Sequence, residues 1–126
     1  DGDEVAIEWE WGGVWGNELE KLYNHQAWTP DKTKPISIKY AVLITYTHTP
    51  NISKVYDHVI GKWKGARYPL LLVLIDVEKS KRFSTGKAFK HIQMSLFDSN
   101  GRKELRCTPA FPSNIESSRW SLRKQI

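Results

Sequence analysis

Length, composition and charge restrict what this chain can be. Its 126 residues suffice for one folded core, and a hydrophobic fraction of 40% with six Trp excludes a disordered chain. The longest uninterrupted apolar stretch, Leu70–Ile75, is too short to cross a bilayer, and the single cysteine excludes an internal disulfide and a Cys-rich zinc site. The short apolar stretch and the lone cysteine lead us to expect a soluble cytoplasmic protein that does not associate with membranes. A net charge of +5 suits a polyanionic partner.

The first two strands are predicted by period-two patterns. In residues 4–11, apolar and acidic side chains alternate, which places them on opposite faces of a strand. Residues 14–26 can continue as a helix, and residues 38–47 are rich in β-branched and aromatic side chains, which favours a second strand.

A second helix and a third strand follow. Thr49 is suited to be a helix N-cap, with Pro50 in the first helical position and Gly65 closing the helix. Residues 70–77 form a nearly continuous apolar run of the kind that is buried on both faces. The order β-α-β-α-β predicts an α/β fold with a mixed, largely parallel central sheet flanked by helices.

The remaining chain has weaker patterns. Residues 92–97 and 104–108 can pair as a hairpin across the turn Asp98–Gly101. We expect one domain over residues 1–108 and a C-terminal extension, residues 109–126, to which the sequence assigns no structure.

Glu8 and Glu10 are the strongest candidates for chemistry. Two residues apart on a strand, they project from one face with Cβ atoms roughly 6 to 7 Å apart. Such a pair could hold one Mg²⁺ or Mn²⁺, whose other positions would take water and phosphate oxygens. The alternative is an edge strand whose glutamates simply face solvent.

The segment Ile7–Trp11, followed by helix, strand, helix and strand, resembles the PD-(D/E)xK nuclease superfamily, which includes restriction endonucleases. The resemblance covers about residues 1–77. It implies a restriction endonuclease-like core in which Glu8 is the motif acid and a metal ligand. Glu10 stands where Lys is usual, but some restriction enzymes have Glu or Gln followed by Trp there, and in these the residue binds metal or positions the attacking water.

The resemblance also implies a further metal ligand and a cation. The family's metal-binding Asp corresponds to Asp1 or Asp3, or to a residue upstream, since the chain begins without Met and we expect a truncated beginning. Lys21 could replace the missing Lys near the metal, and an exposed ion pair with Glu18 is the alternative.

Basic residues outside the first strand point to nucleic acid. The first twenty residues contain seven acids and no Lys or Arg, while the other 106 hold 19 bases and 7 acids, a net of +12. A cluster of these bases is the candidate phosphate-binding loop, with a solvated loop as the alternative. Its members are Lys79, Lys81, Arg82, Lys87 and Lys90.

His48 and Asp76 are secondary candidates, because ligands of open α/β sheets gather at the carboxyl ends of parallel strands. Together these features predict a magnesium-dependent (or manganese-dependent) endonuclease-like domain that hydrolyses nucleic acid, with DNA as the preferred substrate. The alternative is a non-catalytic module that binds nucleic acid or protein. The oligomeric state is open, with a homodimer among the alternatives.

Overall fold

The computed structural model describes residues 4–10, 12–79, 87–114 and 119–122, and the side chains within 4–10, 12–77 and 89–108. Strands form most of this part of the chain. In chain order the elements are β1 (Glu4–Glu10), α1 (Glu18–Tyr23), β2 (Ala27–Trp28), β3 (Pro35–Ile36), β4 (Ile38–His48), a 3-10 turn (Thr49–Asn51), α2 (Ile52–Lys62), β5 (Leu70–Lys79), β6 (Lys87–Asp98), β7 (Gly101–Asn114) and β8 (Arg119–Leu122).

The main sheet is mixed, with strand order β1-β4-β5-β6-β7-β8. β1, β4 and β5 are parallel, which confirms the β-α-β-α-β order through residue 77. From β5 onward all pairs are antiparallel, including the predicted hairpin between β6 and β7. β2 and β3 form a separate two-stranded antiparallel ribbon.

The core lies between the two described α-helices and one face of this sheet. Side chains at alternate positions of β1, β4, β5 and β6 point to this face and pack against apolar residues of α1 and α2. The helical members are Leu19, Leu22, Val55, Val59 and Trp63; the strand members are Ala6, Ala41, Leu43, Leu70, Leu72, Leu74 and Phe97.

The predicted fold class, a sheet flanked by helices, is wrong. Strands predominate, and the two α-helices of the described residues pack on the same face. On β1 the opposite face leaves Val5 36%, Ile7 62% and Trp9 53% exposed. The chain changes architecture after β5 because short connections such as the Asp98–Gly101 turn can join only antiparallel strands.

Two local predictions also differ from the structure. Of the helix expected over residues 14–26, α1 covers only six residues, and the loop expected after it contains the ribbon in which Ala27–Trp28 pairs with Pro35–Ile36. Thr49 makes no cap hydrogen bond to α2; its hydroxyl lies 3.2 Å from Asp76 Oδ1 and 3.3 Å from the carbonyl of Val77. In the C-terminal segment, for which no structure was predicted, β7 continues to Asn114 and pairs with β8.

Candidate functional site

Glu8 and Glu10 point to the helix-covered face of the sheet. Glu8 is opposite Leu43 in the β1–β4 register and Glu10 is opposite Thr45, both of which are buried. The two carboxylates are themselves only partly buried, because β1 is the first strand in the sheet order. Alternation therefore puts the acids on the inner face and the apolar side chains of Val5, Ile7 and Trp9 on the outer face.

Two hydrogen bonds fix the end of β1. The backbone N–H of Gly12 donates to Glu10 Oε1 at 2.6 Å, so this carboxylate folds back over the turn. A Cβ at Gly12 would lie 3.0 Å from that oxygen, so glycine permits this close approach. The buried hydroxyl of Thr45 donates to the carbonyl of Glu10 at 2.6 Å. Glu10 is thus held in place, with its second carboxylate oxygen available to another partner.

Among the other members of the predicted metal site, only Lys21 falls within the described residues. Asp1 and Asp3 lie outside the described residues. Lys21 forms an ion pair with Glu18 within α1, which was the alternative interpretation of this residue. Its Nζ lies 3.2 Å from Glu18 Oε2, and its side chain is 61% exposed. Within the described part of the chain, no group of three or more His, Cys, Asp or Glu residues could hold a metal ion.

The predicted basic loop falls only partly within the described chain. Lys79 ends β5 and Lys87 begins β6, and the register places the two residues opposite each other. Lys90 is exposed on β6. Lys81 and Arg82 lie outside the described residues. The β5–β6 hairpin therefore brings the two flanks of the basic run together.

Asp76 is the most deeply buried charged residue of the described chain, at 0% exposure. Its Oδ1 accepts the Thr49 hydroxyl at 3.2 Å, and its Oδ2 lies 3.1 Å from His91 Nδ1 and 3.3 Å from Gln93 Nε2. A carboxylate only accepts hydrogen bonds, so Nδ1 of His91 carries the hydrogen and Nε2 is left for another partner. The His91 side chain is 26% exposed.

A polar row extends this cluster along β6 and β7. Gln93 Oε1 accepts the hydroxyl of Tyr56 on α2, and the Arg102 guanidinium lies 3.7 Å from the centre of the Tyr56 ring. Arg102 Nε also donates to Ser95 Oγ at 3.0 Å. Burial raises the pKa of the Tyr56 hydroxyl, although Ser95 and Arg102 oppose this shift. The hydroxyl therefore remains a neutral donor at neutral pH.

Both clusters lie toward the carboxyl ends of the parallel strands. The registers align Glu10 with Thr45 and Leu74, so Asp76 is two strands across and two residues further along. Strand spacing and rise put their Cα atoms about 12 Å apart. Asp76 was singled out from its strand end, whereas His91 and Gln93 were missed. The alternation of His91, Gln93 and Ser95 with apolar residues is the signal that could have found them.

His48 and an open cleft belong to neither cluster. His48 lies beside the Tyr46 ring, with centroids 6.1 Å apart, rather than beside Asp76. An open cleft of about 250 Å³, lined in part by His25, Arg67 and Tyr68, lies near the amino ends of β4 and β5. It is at the opposite end of the parallel strands from Glu10 and Asp76.

None of the described helices combines the length and apolar character needed to span a membrane. No protein-family model, curated protein or solved structure matches this chain.

Proposed function

We propose that the chain is a nuclease domain dependent on a divalent cation, in which Glu8 and Glu10 bind Mg²⁺ or Mn²⁺ beside a nucleic-acid phosphodiester. The observation that supports this most is that β1 turns its acidic face toward the helices and its apolar face toward solvent. Its carboxylates face the helix-covered side while Ile7 and Trp9 remain more than half exposed. Partly burying a carboxylate has a free-energy cost that a bound cation offsets.

The donor set fits a metal ion that keeps most of its water. Mg²⁺ in phosphoryl-transfer sites uses one or two protein carboxylates together with waters and substrate phosphates. Glu8 offers both carboxylate oxygens, and Glu10 offers the oxygen that Gly12 does not occupy. When bound, the ion would supply charge stabilisation at the phosphate and lower the pKa of a coordinated water.

The protein's own residues then position the site. Gly12 and Thr45 hold Glu10 at the end of β1, and the parallel pairing of β1 with β4 fixes its separation from Glu8. Lys79, Lys87 and Lys90 on the β5–β6 hairpin supply positive charge for the phosphate backbone, and DNA is the substrate we propose.

The experiment measures Mn²⁺ binding and plasmid nicking with the full chain and three variants. Glu8→Gln and Glu10→Gln remove a ligand charge, and Glu4→Gln makes the same change at the exposed start of the same strand. We expect at least tenfold weaker Mn²⁺ binding and loss of nicking for the first two variants, and wild-type behaviour for Glu4→Gln. Equal Mn²⁺ affinity in all four proteins, or equal nicking by wild type and Glu8→Gln, refutes the proposal.

A non-catalytic binding module is the second candidate function. The exposed apolar side chains of Val5, Ile7 and Trp9 on the sheet face away from the helices favour it, because such a patch suits a protein partner. Nucleic-acid binding that is unchanged by Glu8→Gln, together with absent nicking in every variant, supports this function over the first.

A further inference from the structure

The Asp76–His91 pair has a geometry that its role in packing does not require. Asp76 lies at the end of a buried parallel strand, and its carboxylate receives three hydrogen bonds from three different side chains. Thr49 and Gln93 would suffice to give each oxygen a partner. His91 is added to this set while remaining 26% exposed, so the carboxylate orients a ring that reaches the surface.

The β5–β6 ladder changes register at this point. Asp76 is opposite His91, whereas Val77 is opposite Phe89, so the register shifts by one residue at Lys90. Such bulges bend a strand and re-aim side chains, and they are over-represented beside functional sites. The bulge position is occupied by Lys90, an exposed residue immediately before His91 in the chain.

We propose that His91 Nε2 contacts a backbone phosphate of nucleic acid, with Asp76 as its positioning residue and Lys90 beside it. This inference rests on the proposed function and names a second contact of the same ligand. Glu10 and Asp76 lie about 12 Å apart at the carboxyl ends of the parallel strands, and a nucleic-acid strand that crosses these ends meets both positions. His91 is thus a phosphate contact away from the metal rather than a catalytic residue.

The contact depends on the protonation of His91. With Nδ1–H donated to Asp76, Nε2 carries a hydrogen only in the imidazolium form, and only then can it donate to a phosphate oxygen. Asp76 on β5 contacts the His91 ring directly, and Lys90 precedes His91 on β6. The other titratable and charged groups of the polar row are Tyr56 on α2 and Arg102, Glu104 and Cys107 on β7. Burial raises the pKa of both Tyr56 and Cys107, so these two groups stay neutral at and below neutral pH.

The first test is an NMR titration of the ¹⁵N-labelled full chain with a ten-nucleotide single-stranded DNA, and separately with inorganic phosphate. The ¹⁵N chemical shifts of the two histidine ring nitrogens show directly which nitrogen carries the hydrogen. We expect the neutral His91 ring to carry its hydrogen on Nδ1, and its Nε2 resonance to shift saturably with the DNA. His25, which lines the cleft at the opposite end of the parallel strands, serves as an internal control and should not shift. A hydrogen on Nε2 in the neutral ring, or no saturable shift with DNA, overturns the proposal; a shift with phosphate but not DNA likewise overturns it.

The second test compares DNA affinity in wild type, His91→Gln and Asp76→Asn at about pH 5.5 and about pH 8, because only a protonated imidazole can donate from Nε2 while Nδ1–H is donated to Asp76. The phosphodiester keeps its charge over the same range. We expect His91→Gln to weaken binding about tenfold at the lower pH, as for one lost hydrogen bond to a charged group. It should also reduce the salt dependence by about 0.7 in log–log slope, equivalent to one phosphate contact on a single strand. Unchanged affinity and slope at the lower pH overturn the proposal.

Asp76→Asn should alter the ring-nitrogen shifts of His91 and weaken DNA binding; if this variant fails to fold, the His91→Gln comparison decides. Failure of the metal site is separable from failure of this contact. Glu8→Gln should weaken Mn²⁺ binding at least tenfold yet preserve the His91 shift with DNA, whereas His91→Gln should preserve Mn²⁺ affinity.

Discussion

Replacing Asp76 by Ala should be among the most destabilising single changes in the described chain. The carboxylate is fully buried and accepts hydrogen bonds from Thr49, His91 and Gln93. Alanine removes the acceptor of His91 and Gln93, whereas the Thr49 hydroxyl keeps the carbonyl of Val77 at 3.3 Å. Hydrogen bonds to charged groups contribute about 1.5 to 3 kcal/mol each, so losing two of them costs several kcal/mol.

We therefore expect Asp76→Ala to lower the free energy of unfolding by about 3 to 5 kcal/mol, a large part of the 5 to 15 kcal/mol typical of whole domains. Equilibrium urea denaturation measures this directly. With a slope of about 2 kcal/mol per molar urea, the midpoint should fall by about 2 M. Circular dichroism and Trp fluorescence should give the same midpoint if unfolding is two-state.

Asp57→Ala is the matched control, because it makes the same substitution at an exposed position of α2. Its free energy of unfolding should stay within about 0.5 kcal/mol of wild type. A change below about 1 kcal/mol for Asp76→Ala, or an equal change for both variants, would show that the hydrogen bonds to Asp76 do not stabilise the carboxyl ends of the strands.

Three further predictions address the core, a turn and pH. Leu43→Ala removes a fully buried side chain and should cost about 2 to 5 kcal/mol in urea denaturation, whereas a cost below about 1 kcal/mol would contradict the packing of β4 against the helices. Gly65 has φ +70° with room for a Cβ, so Gly65→Ala should cost about 1 to 2 kcal/mol from backbone strain alone, and a stabilising effect would contradict that conformation. Burial raises the pKa of Tyr56, Tyr68 and Cys107, so their contribution to stability is present below their unfolded-state pKa values. This contribution should be lost as pH rises through the folded-state pKa values of these groups. Melting temperatures measured from pH 7 to 11 should therefore fall above about pH 9, and a rise there would contradict the raised pKa values.

The strands of the parallel half could be predicted because their patterns are local. Alternation over residues 4–11 and the apolar run over residues 70–77 each specify a strand without knowledge of the rest of the chain. Helix α1 was overestimated because Gly12, Gly13 and Gly16 shape the chain after β1, with Gly13 at φ +83°. Turns of this kind depend on backbone conformations that side-chain periodicity does not report.

Which face of the sheet is covered could not be predicted in the same way. Right-handed crossovers place helices on one face when successive strands are added in the same direction, and on both faces only when the direction reverses. Here β1, β4 and β5 follow one another in a single direction, so α1 and α2 lie on the same side. Strand order is a property of the whole chain, and no segment of the sequence encodes it separately.

The candidate site shows the same division between local and long-range information. The two-residue spacing of Glu8 and Glu10 sufficed to place both on one face of β1. The partnership of Asp76 and His91 depends on the antiparallel register of β5 and β6, including the shift past Lys90. A displacement of one residue would send His91 to the opposite face, so the pair can be recognised only once the ladder is known.

The register of β1 is itself informative about the glutamates. Slipping this strand by one residue would turn Ile7 and Trp9 toward the helices and release both carboxylates to solvent. Fully burying one large apolar side chain contributes about 1.5 to 3 kcal/mol, so hydrophobic burial alone favours the slipped arrangement. The observed register is supported instead by the hydrogen bond from the Thr45 hydroxyl on β4 to the Glu10 carbonyl, and by small Ala6, which fits beneath the helices. Because these contacts fix the position of Glu10, the strand is organised around its carboxylates rather than around its largest apolar side chains.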